Sequence, residues 1–321
     1  MGQMDLPAAL RGAIDRELEG RPRGDLARRT AATSAAYRGG RTSAAAIKDE
    51  GDALAYALAR LPATYAATAA VFAEARRMTP GFAPSSLLDA GSGPGGGSWA
   101  ALEAWGSVGH VTWLDASLPF LSLAARLAAG SPLAEAETRR GDLTAGAFPN
   151  ADLVLASYAL AEIPETGQAQ VVAALWDATG GVLALVEPGT TGGYARILAA
   201  RATLIAGGAE VLAPCPHHRP CPLAAPDWCH FSVRLARSRD HRLAKGGDVP
   251  FEDEKFAYLL AARPHVVAQS RTPRVLARPK AGKPGIELKL CSTDGLEQRF
   301  VARRDKPAHA RARRLDWGDA L

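Results

Sequence analysis

Cysteine is nearly absent from this chain, with four in 321 residues, at positions 215, 221, 229 and 291. So few thiols do not suggest the disulfide framework of a small secreted domain. Long apolar runs are missing too. No window approaches the ~18 consecutive apolar residues a membrane-spanning helix needs, so no membrane partner is expected. The first twenty residues, MGQMDLPAALRGAIDRELEG, mix charge with apolar residues and lack the unbroken apolar stretch of a signal peptide. A cytoplasmic location is the expectation. Nor does the chain have a disordered composition, since 47% of it is hydrophobic and 22% charged. One α/β domain of roughly 200 residues with smaller appendages fits this length.

The net charge of +5 is unevenly placed. Residues 271–321 hold 13 Lys/Arg and 6 Asp/Glu, a balance of +7, which leaves −2 for the remainder. A basic C-terminal end draws polyanions by counterion release.

Along the chain, residues 1–80 read as a helical cap. Ala53–Arg60 and Ala66–Met78 are Ala-rich with apolar positions at helical spacing, broken near Pro62, and 38–42 form a paired-glycine loop. From Pro84 short apolar runs alternate with helical stretches. The runs 85–91, 110–116, 151–157 and 180–189 predict strands, with a weaker strand before Asp142. Gly97–Trp105, Leu118–Ala129 and Gly167–Asp177 predict the helices between them, and Ala195–Ala206 a further helix. This alternation predicts βαβ units and a parallel sheet. The organisation expected is a core over 81–213, a cysteine-rich loop over 214–231, remaining strands and a small β subdomain over 232–305, and a mobile basic tail from Lys306. Lys255–Arg263, Arg274–Pro279, Gly285–Cys291 and Leu296–Arg303 are the late strands, the last three separated by turns at 282–284 and 294–295.

The sharpest local signal is LLDAGSGPGGG, residues 87–97, where a buried strand runs into glycines and then a helix. Glycine there permits a tight turn and close backbone approach, and the helix start offers free N–H groups. Gly91, Gly93 and Gly96 also satisfy the dinucleotide pattern. Acidic residues tilt the reading to S-adenosylmethionine, which is cationic. Asp89 in the lead-in would hold its ammonium, Asp115 at the end of the second strand its ribose hydroxyls, and Asp142 its adenine amino group, with Gly91, Ser92, Gly93 and Gly95 cradling it. The fold expected is the α/β sheet of class I methyltransferases. After the fourth strand, SYALAEIP (157–164) lacks the loop that positions an exocyclic base amine, and no cysteine stands there to attack a pyrimidine. No catalytic residue is assigned. Tyr158 and Glu162 are expected to line the pocket in structural roles.

Cys215, Cys221 and Cys229 follow C-x5-C and C-x7-C spacing amid Pro and His, with Cys291 far downstream. Three thiolates from a loop and one from a distant strand can surround a metal centre. The spacing is wider than a zinc ribbon's and suits a body such as an iron–sulfur cluster, yet on chemistry alone zinc and a cluster stay balanced. His217, His218 and His230 are reserve ligands or phosphate contacts.

The combined pattern resembles the bacterial and mitochondrial methyltransferase-like proteins of the ribosomal small subunit. The matching segments are LLDAGSGPG (87–95), VEPGTTGG (186–193), CPHHRPCPL (215–223), DWCHF (227–231) and ELKLCSTDG (287–295), with AYALARLPATYAA (55–67) and RRLDWGD (313–319). The likeness implies S-adenosylmethionine binding, a 4Fe–4S cluster on Cys215, Cys221, Cys229 and Cys291, and attachment to the small ribosomal subunit or its rRNA. It implies either an rRNA methyltransferase or a non-catalytic assembly factor; with no evident transit peptide a bacterial-type cytoplasmic form is expected, and docking on the ribosome leads us to expect a monomer.

Overall fold

A computed structural model describes residues 4–39 and 42–321, so Gly40 and Arg41 of the expected glycine loop lie outside the described residues. Five helices come first: α1 (Ala8–Leu18), α2 (Arg23–Arg38), α3 (Ser43–Ala46), α4 (Glu50–Ala59) and α5 (Leu61–Met78). The break expected near Pro62 falls at Arg60, between α4 and α5; Pro62 itself is helical. It occupies the first turn of α5, where its missing N–H leaves no bond unmade. Asp49 caps α4 by accepting from the Asp52 N–H.

The alternating region follows as β1 (Ser86–Ala90), α6 (Gly96–Ala104), β2 (His110–Asp115), α7 (Leu118–Ala128), β3 (Glu137–Arg140), β4 (Ala151–Ser157), α8 (Glu165–Asp177), β5 (Thr179–Pro188) and α9 (Thr191–Ala206). Then come β6 (Glu210–Ala213), β7 (Phe231–Ala236), α10 (Arg239–Lys245) and β8 (Phe251–Ala262). The sheet order is β3-β2-β1-β4-β5-β8-β6. Strands β1 to β5 pair in parallel, and β8 runs against both β5 and β6. That order, with one reversed strand near the end, is the class I methyltransferase fold.

Alternation along the strands divides the core in two. Leu87, Leu153, Leu155, Val182 and Val186 face α4 to α7, while Leu88, Val154, Ala156, Leu183 and Leu185 face α8 and α9. Among the described residues no helix is long and apolar enough to cross a membrane.

Strand β8 has an interrupted neighbour. Its Leu260 pairs with Ala213 at the end of β6, and its Phe256 pairs with Phe231 at the start of β7. Only residues 257–259 lie between, so the cysteine loop, 214–230, leaves and rejoins one side of β8 across a three-residue gap. Strand β7, placed in no strand by the sequence reading, alternates Phe231, Val233 and Leu235 inward with Ser232 and Arg234 outward.

A second sheet contains β9 (Arg274–Val275), β10 (Lys280–Ala281), β11 (Gly285–Ser292) and β12 (Gly295–Ala302), followed by α11 (Lys306–Ala312). The strand expected over Arg274–Pro279 is only two residues long, although the Leu276 N–H still bonds the Lys289 carbonyl in register with that pairing. The tail expected to be mobile from Lys306 is instead ordered. Asp305 caps α11 through the Ala308 N–H, and Ala312 is buried against Val275 and Ile286. The Val275 N–H bonds the Asp319 carbonyl, and the Gly318 N–H bonds the Val275 carbonyl.

Candidate cofactor pocket and cysteine centre

Strand β1 ends in a turn that only glycine adopts without strain, with φ of 75°, 53° and 82° at Gly91, Gly93 and Gly95. Gly95 begins α6. The Asp115 carboxylate fastens this turn, accepting from the Gly93 N–H and the Ser117 N–H, each at 2.8 Å. No atom stands within 4 Å of where a Cβ on Gly93 would project, so the loop backbone borders open space. That space is a pocket of about 160 Å³ lined by Gly91, Gly93, Asp115, Asp142, Tyr158 and Glu162.

The sequence-predicted acids are placed differently from one another. Asp115 is buried at the pocket wall, and burial pushes its carboxyl up against the pull of its backbone donors. Asp142 is largely exposed and lines the pocket while accepting from the Thr144 N–H and hydroxyl, which hold its carboxyl below the usual range. Asp89 does not line the main pocket. It is 1% exposed beneath the loop, accepts from the Ser98 hydroxyl at 2.7 Å, and borders a smaller recess shared with Ser92, Gly93 and Gly97. Trp113 Nε1 donates in turn to Ser98.

Burial pushes the Asp89 carboxyl from its ordinary 3.8 to about 7. The folded state therefore holds its proton more tightly than the unfolded one. The associated stability is full below about pH 4 and is lost as pH rises through about 7. We expect the urea midpoint to fall between pH 4 and 8, and Asp89→Asn, a mimic of the neutral acid, to flatten that dependence.

Gly97 sits where α6 crosses β1 and β4. A Cβ there would lie 2.3 Å from Leu155 Cδ2 and 3.1 Å from Asp89 Oδ2. Gly97→Ala should cost about 1–3 kcal/mol of stability by overpacking, read as a lower urea midpoint.

On the far side of the pocket Ser157, Tyr158 and Glu162 each have a partner within the protein. Ser157 shares a 2.9 Å hydrogen bond with Thr68. Tyr158 follows β4 with φ of 58°, a strained value for a side chain of its size, and donates to Glu254 Oε1 at 2.8 Å. Arg60 approaches the same Glu254 oxygen at 3.5 Å. Glu162 accepts from the Ser43 N–H at 2.8 Å and from the Ser43 hydroxyl. Glu187, fully buried at the end of β5, holds Arg196 at 2.6 Å and accepts from the Leu160 N–H at 3.2 Å.

The four cysteines converge. Cys215, Cys221 and Cys229 from the loop and Cys291 from β11 line one cavity, together with Tyr194, Arg201 and Arg274. None is in a disulfide. Burial pushes the Cys215 thiol up, Cys229 well up, and Cys291 to about 12, and neighbouring cysteines push each further in the same direction. Thiols crowded in one buried cavity are a donor set that a metal centre stabilises as thiolates. Among the described residues, however, no three His, Cys, Asp or Glu groups gather closely enough to hold a single metal ion. The histidines divide. His217 Nε2 is 3.6 Å from Cys291 Sγ. His218 accepts from the Val211 N–H at 3.1 Å, and His230 stacks on Trp228 with ring centres 4.8 Å apart.

A profile of the family described as "Mitochondrial small ribosomal subunit Rsm22" matches residues 50–321. The chain belongs to the Rsm22 family. The match takes in the glycine turn, all four cysteines and both sheets, and bears out the resemblance read from the sequence. Human "Ribosome assembly protein METTL17, mitochondrial" is 32% identical over 295 residues, covering 85% of this Rsm22-family chain and 63% of the relative. The chain thus spans less than two thirds of that protein's length. Among solved structures, magnesium protoporphyrin IX methyltransferase from Synechocystis with bound SAM is 16% identical with a TM-score of 0.39, over 62% of this chain and 78% of that one. The YcgJ protein of Bacillus subtilis is 12% identical, also at 0.39, over 61% and 97%. Likenesses of that size carry no weight here; the strand order stands by itself.

Sequence reading missed several residues of this Rsm22-family site: Ser43, Arg60, Glu187, Tyr194, Arg201, Glu254 and Arg274. Their partners are distant in sequence, and for most no local signal marks them. Arg201 and Glu187 are the exceptions, since each is a charge set within an otherwise apolar run.

Proposed function

We propose that this protein is a small-ribosomal-subunit assembly factor that binds S-adenosylmethionine on a methyltransferase fold and carries an iron–sulfur centre. The observation that carries the reading is the contrast between the two sides of the pocket. The glycine turn borders open space, whereas Ser157, Tyr158 and Glu162 opposite are all engaged within the protein. A cofactor can enter, and Ser157, Tyr158 and Glu162, each already engaged, are not set free to take a proton from a methyl acceptor.

In this reading Gly91, Ser92, Gly93 and Gly95 let the backbone approach the cofactor, and Asp115 accepts from the ribose hydroxyls with the lone pairs its backbone donors leave unused. Asp142 lies beside the adenine, and Asp89 offers negative charge from below the loop. The bound cofactor would supply a sulfonium methyl group.

Cys215, Cys221, Cys229 and Cys291 would hold the metal centre. Four cysteines lining one cavity supply the donor set that such a centre needs. The centre would pin the loop to β11 and fix the second sheet against the first.

For rRNA, that second sheet offers exposed Arg278, Lys280, Lys283, Arg303, Arg304 and Arg313. A cleft of about 510 Å³ beside them is lined by Arg278, Arg313 and Trp317, together with Asp316 and the Arg234–Asp253 ion pair. Basic side chains around a cleft supply the non-specific phosphate attraction of an RNA-binding surface.

Methyl transfer to rRNA is the second reading, favoured by the open glycine side. Incubating the protein with methyl-labelled cofactor and immature small subunits separates the two. One copy sedimenting with each subunit, with cofactor bound and no label in rRNA, is the expected result. Label in the rRNA would establish the second reading instead, and absence of both cofactor and subunit binding would defeat both.

A further inference from the structure

Helix α9 turns one face toward the cysteine cavity. Tyr194, Ile197, Leu198 and Arg201 all line it, at the i, i+3, i+4, i+7 spacing that brings side chains to one side of a helix. Two of the four are polar. The Tyr194 hydroxyl donates to Cys221 Sγ at 3.2 Å. Arg201 is 5% exposed, and its Nη2 donates to the carbonyls of His217 at 2.6 Å and Arg219 at 2.9 Å, gripping the loop between two of its cysteines.

The guanidinium also hydrogen-bonds the Cys215 side chain, which leaves one donor over. Its Nε is buried with no hydrogen-bond partner. Among the described residues no carboxylate pairs with it. The other buried arginine at the cavity is different: Arg274 is 3% exposed, forms an ion pair with Glu74, and donates to Pro214 and Gly318 carbonyls. Arg201 is thus a buried cation without a counter-charge and a buried donor without an acceptor, each of which is costly. Both deficits are met if the cavity holds a sulfur-rich body of net negative charge. Four thiolates around a 4Fe–4S core carry two negative charges in the oxidised state and three when reduced by one electron.

We propose that Arg201 and Tyr194 are positioning residues for the centre on the four cysteines, Arg201 giving its Nε–H and positive charge and Tyr194 its O–H to the sulfurs. This rests on the iron–sulfur reading above. Donors and cations beside cluster sulfurs stabilise the more negative, reduced state and so raise the reduction potential. They also slow loss of metal, for partners that orient metal ligands are worth about 10–100-fold in affinity.

The test uses the whole chain, reconstituted anaerobically with iron and sulfide. Iron, acid-labile sulfide, the midpoint potential in a dithionite titration and the rate of iron loss to a chelator are measured for the parent, Arg201→Met, Arg201→Lys and Tyr194→Phe. Arg201→Met should shift the potential to a more negative value and lose iron about ten-fold faster or more. Arg201→Lys restores charge without the Nε fork, so its potential should return toward the parent while iron loss stays fast. Tyr194→Phe removes one O–H and should also make the potential more negative. If Arg201→Met does not fold by circular dichroism, Arg201→Lys and Tyr194→Phe decide. Parent-like potentials and chelation rates in the folded variants overturn the proposal while leaving the cluster intact. A parent protein that takes up neither iron nor sulfide overturns the iron–sulfur reading itself.

Discussion

Cys229→Ser leaves the protein short of one of four sulfurs and lowers its melting temperature by about 8 °C or more relative to the metal-loaded parent. A group bound at a thousand times its dissociation constant contributes about 4 kcal/mol to folding. In a chain of this size each kcal/mol is worth roughly 2 °C. Cys229 is chosen because burial pushes its thiol well up and because it stands two residues before β7. The comparison is made by scanning calorimetry with iron content measured on the same samples. Treating the parent with a chelator under reducing conditions should reproduce the fall, and the serine variant should then show little further change. If parent and variant melt together while only the parent contains metal, the centre does not hold the two sheets in place.

Asp115→Ala should weaken S-adenosylmethionine binding by about ten- to a hundred-fold, the equivalent of about 1.5–3 kcal/mol for hydrogen bonds to a charged group. The effect has two sources. The carboxylate is the acceptor proposed for the ribose, and it also anchors the Gly93 and Ser117 N–H groups that shape the turn. Asp115→Asn keeps one carbonyl acceptor and should lose less. Titration calorimetry gives the affinities, and a urea midpoint on each variant separates loss of the ligand contact from loosening of the loop. Equal affinity in all three proteins would place the cofactor somewhere other than beside β2.

Some of this architecture is legible in the amino acids, and the reasons differ by element. Strands β1, β2, β4 and β5 are covered by helices on at least one face, so they read as apolar runs ending at Gly or Asp. Helix α11 is concealed by its own charge. Only Ala308, His309 and Ala312 turn away from solvent among its seven residues, which leaves a stretch that reads as a solvated tail. The acids of the pocket region could be found in order because each lies at or near the end of a strand. That Asp89 lies under the turn depends on Ser98, whose hydroxyl reaches back nine residues, and on the missing side chain of Gly97. The cysteine loop was conspicuous by composition. Its approach to Cys291 depends on the β11 pairing with β9 and on Arg274 reaching Pro214, contacts between residues far apart in the chain.

The three-residue gap beside β8 has a consequence for how copies of the protein meet one another. A long, unbroken outermost strand offers a row of N–H and C=O groups on which a second molecule can pair and begin to aggregate. Here that rim is split into pieces of four and six residues, with seventeen residues of proline-rich loop thrown out between them, and Met4 bonds the Arg234 carbonyl and the Ala236 N–H along the outer flank of the longer piece. The excursion that gathers the sulfurs also blunts the sheet, so a shortened loop that joined the two pieces directly would produce a protein with a stickier flank.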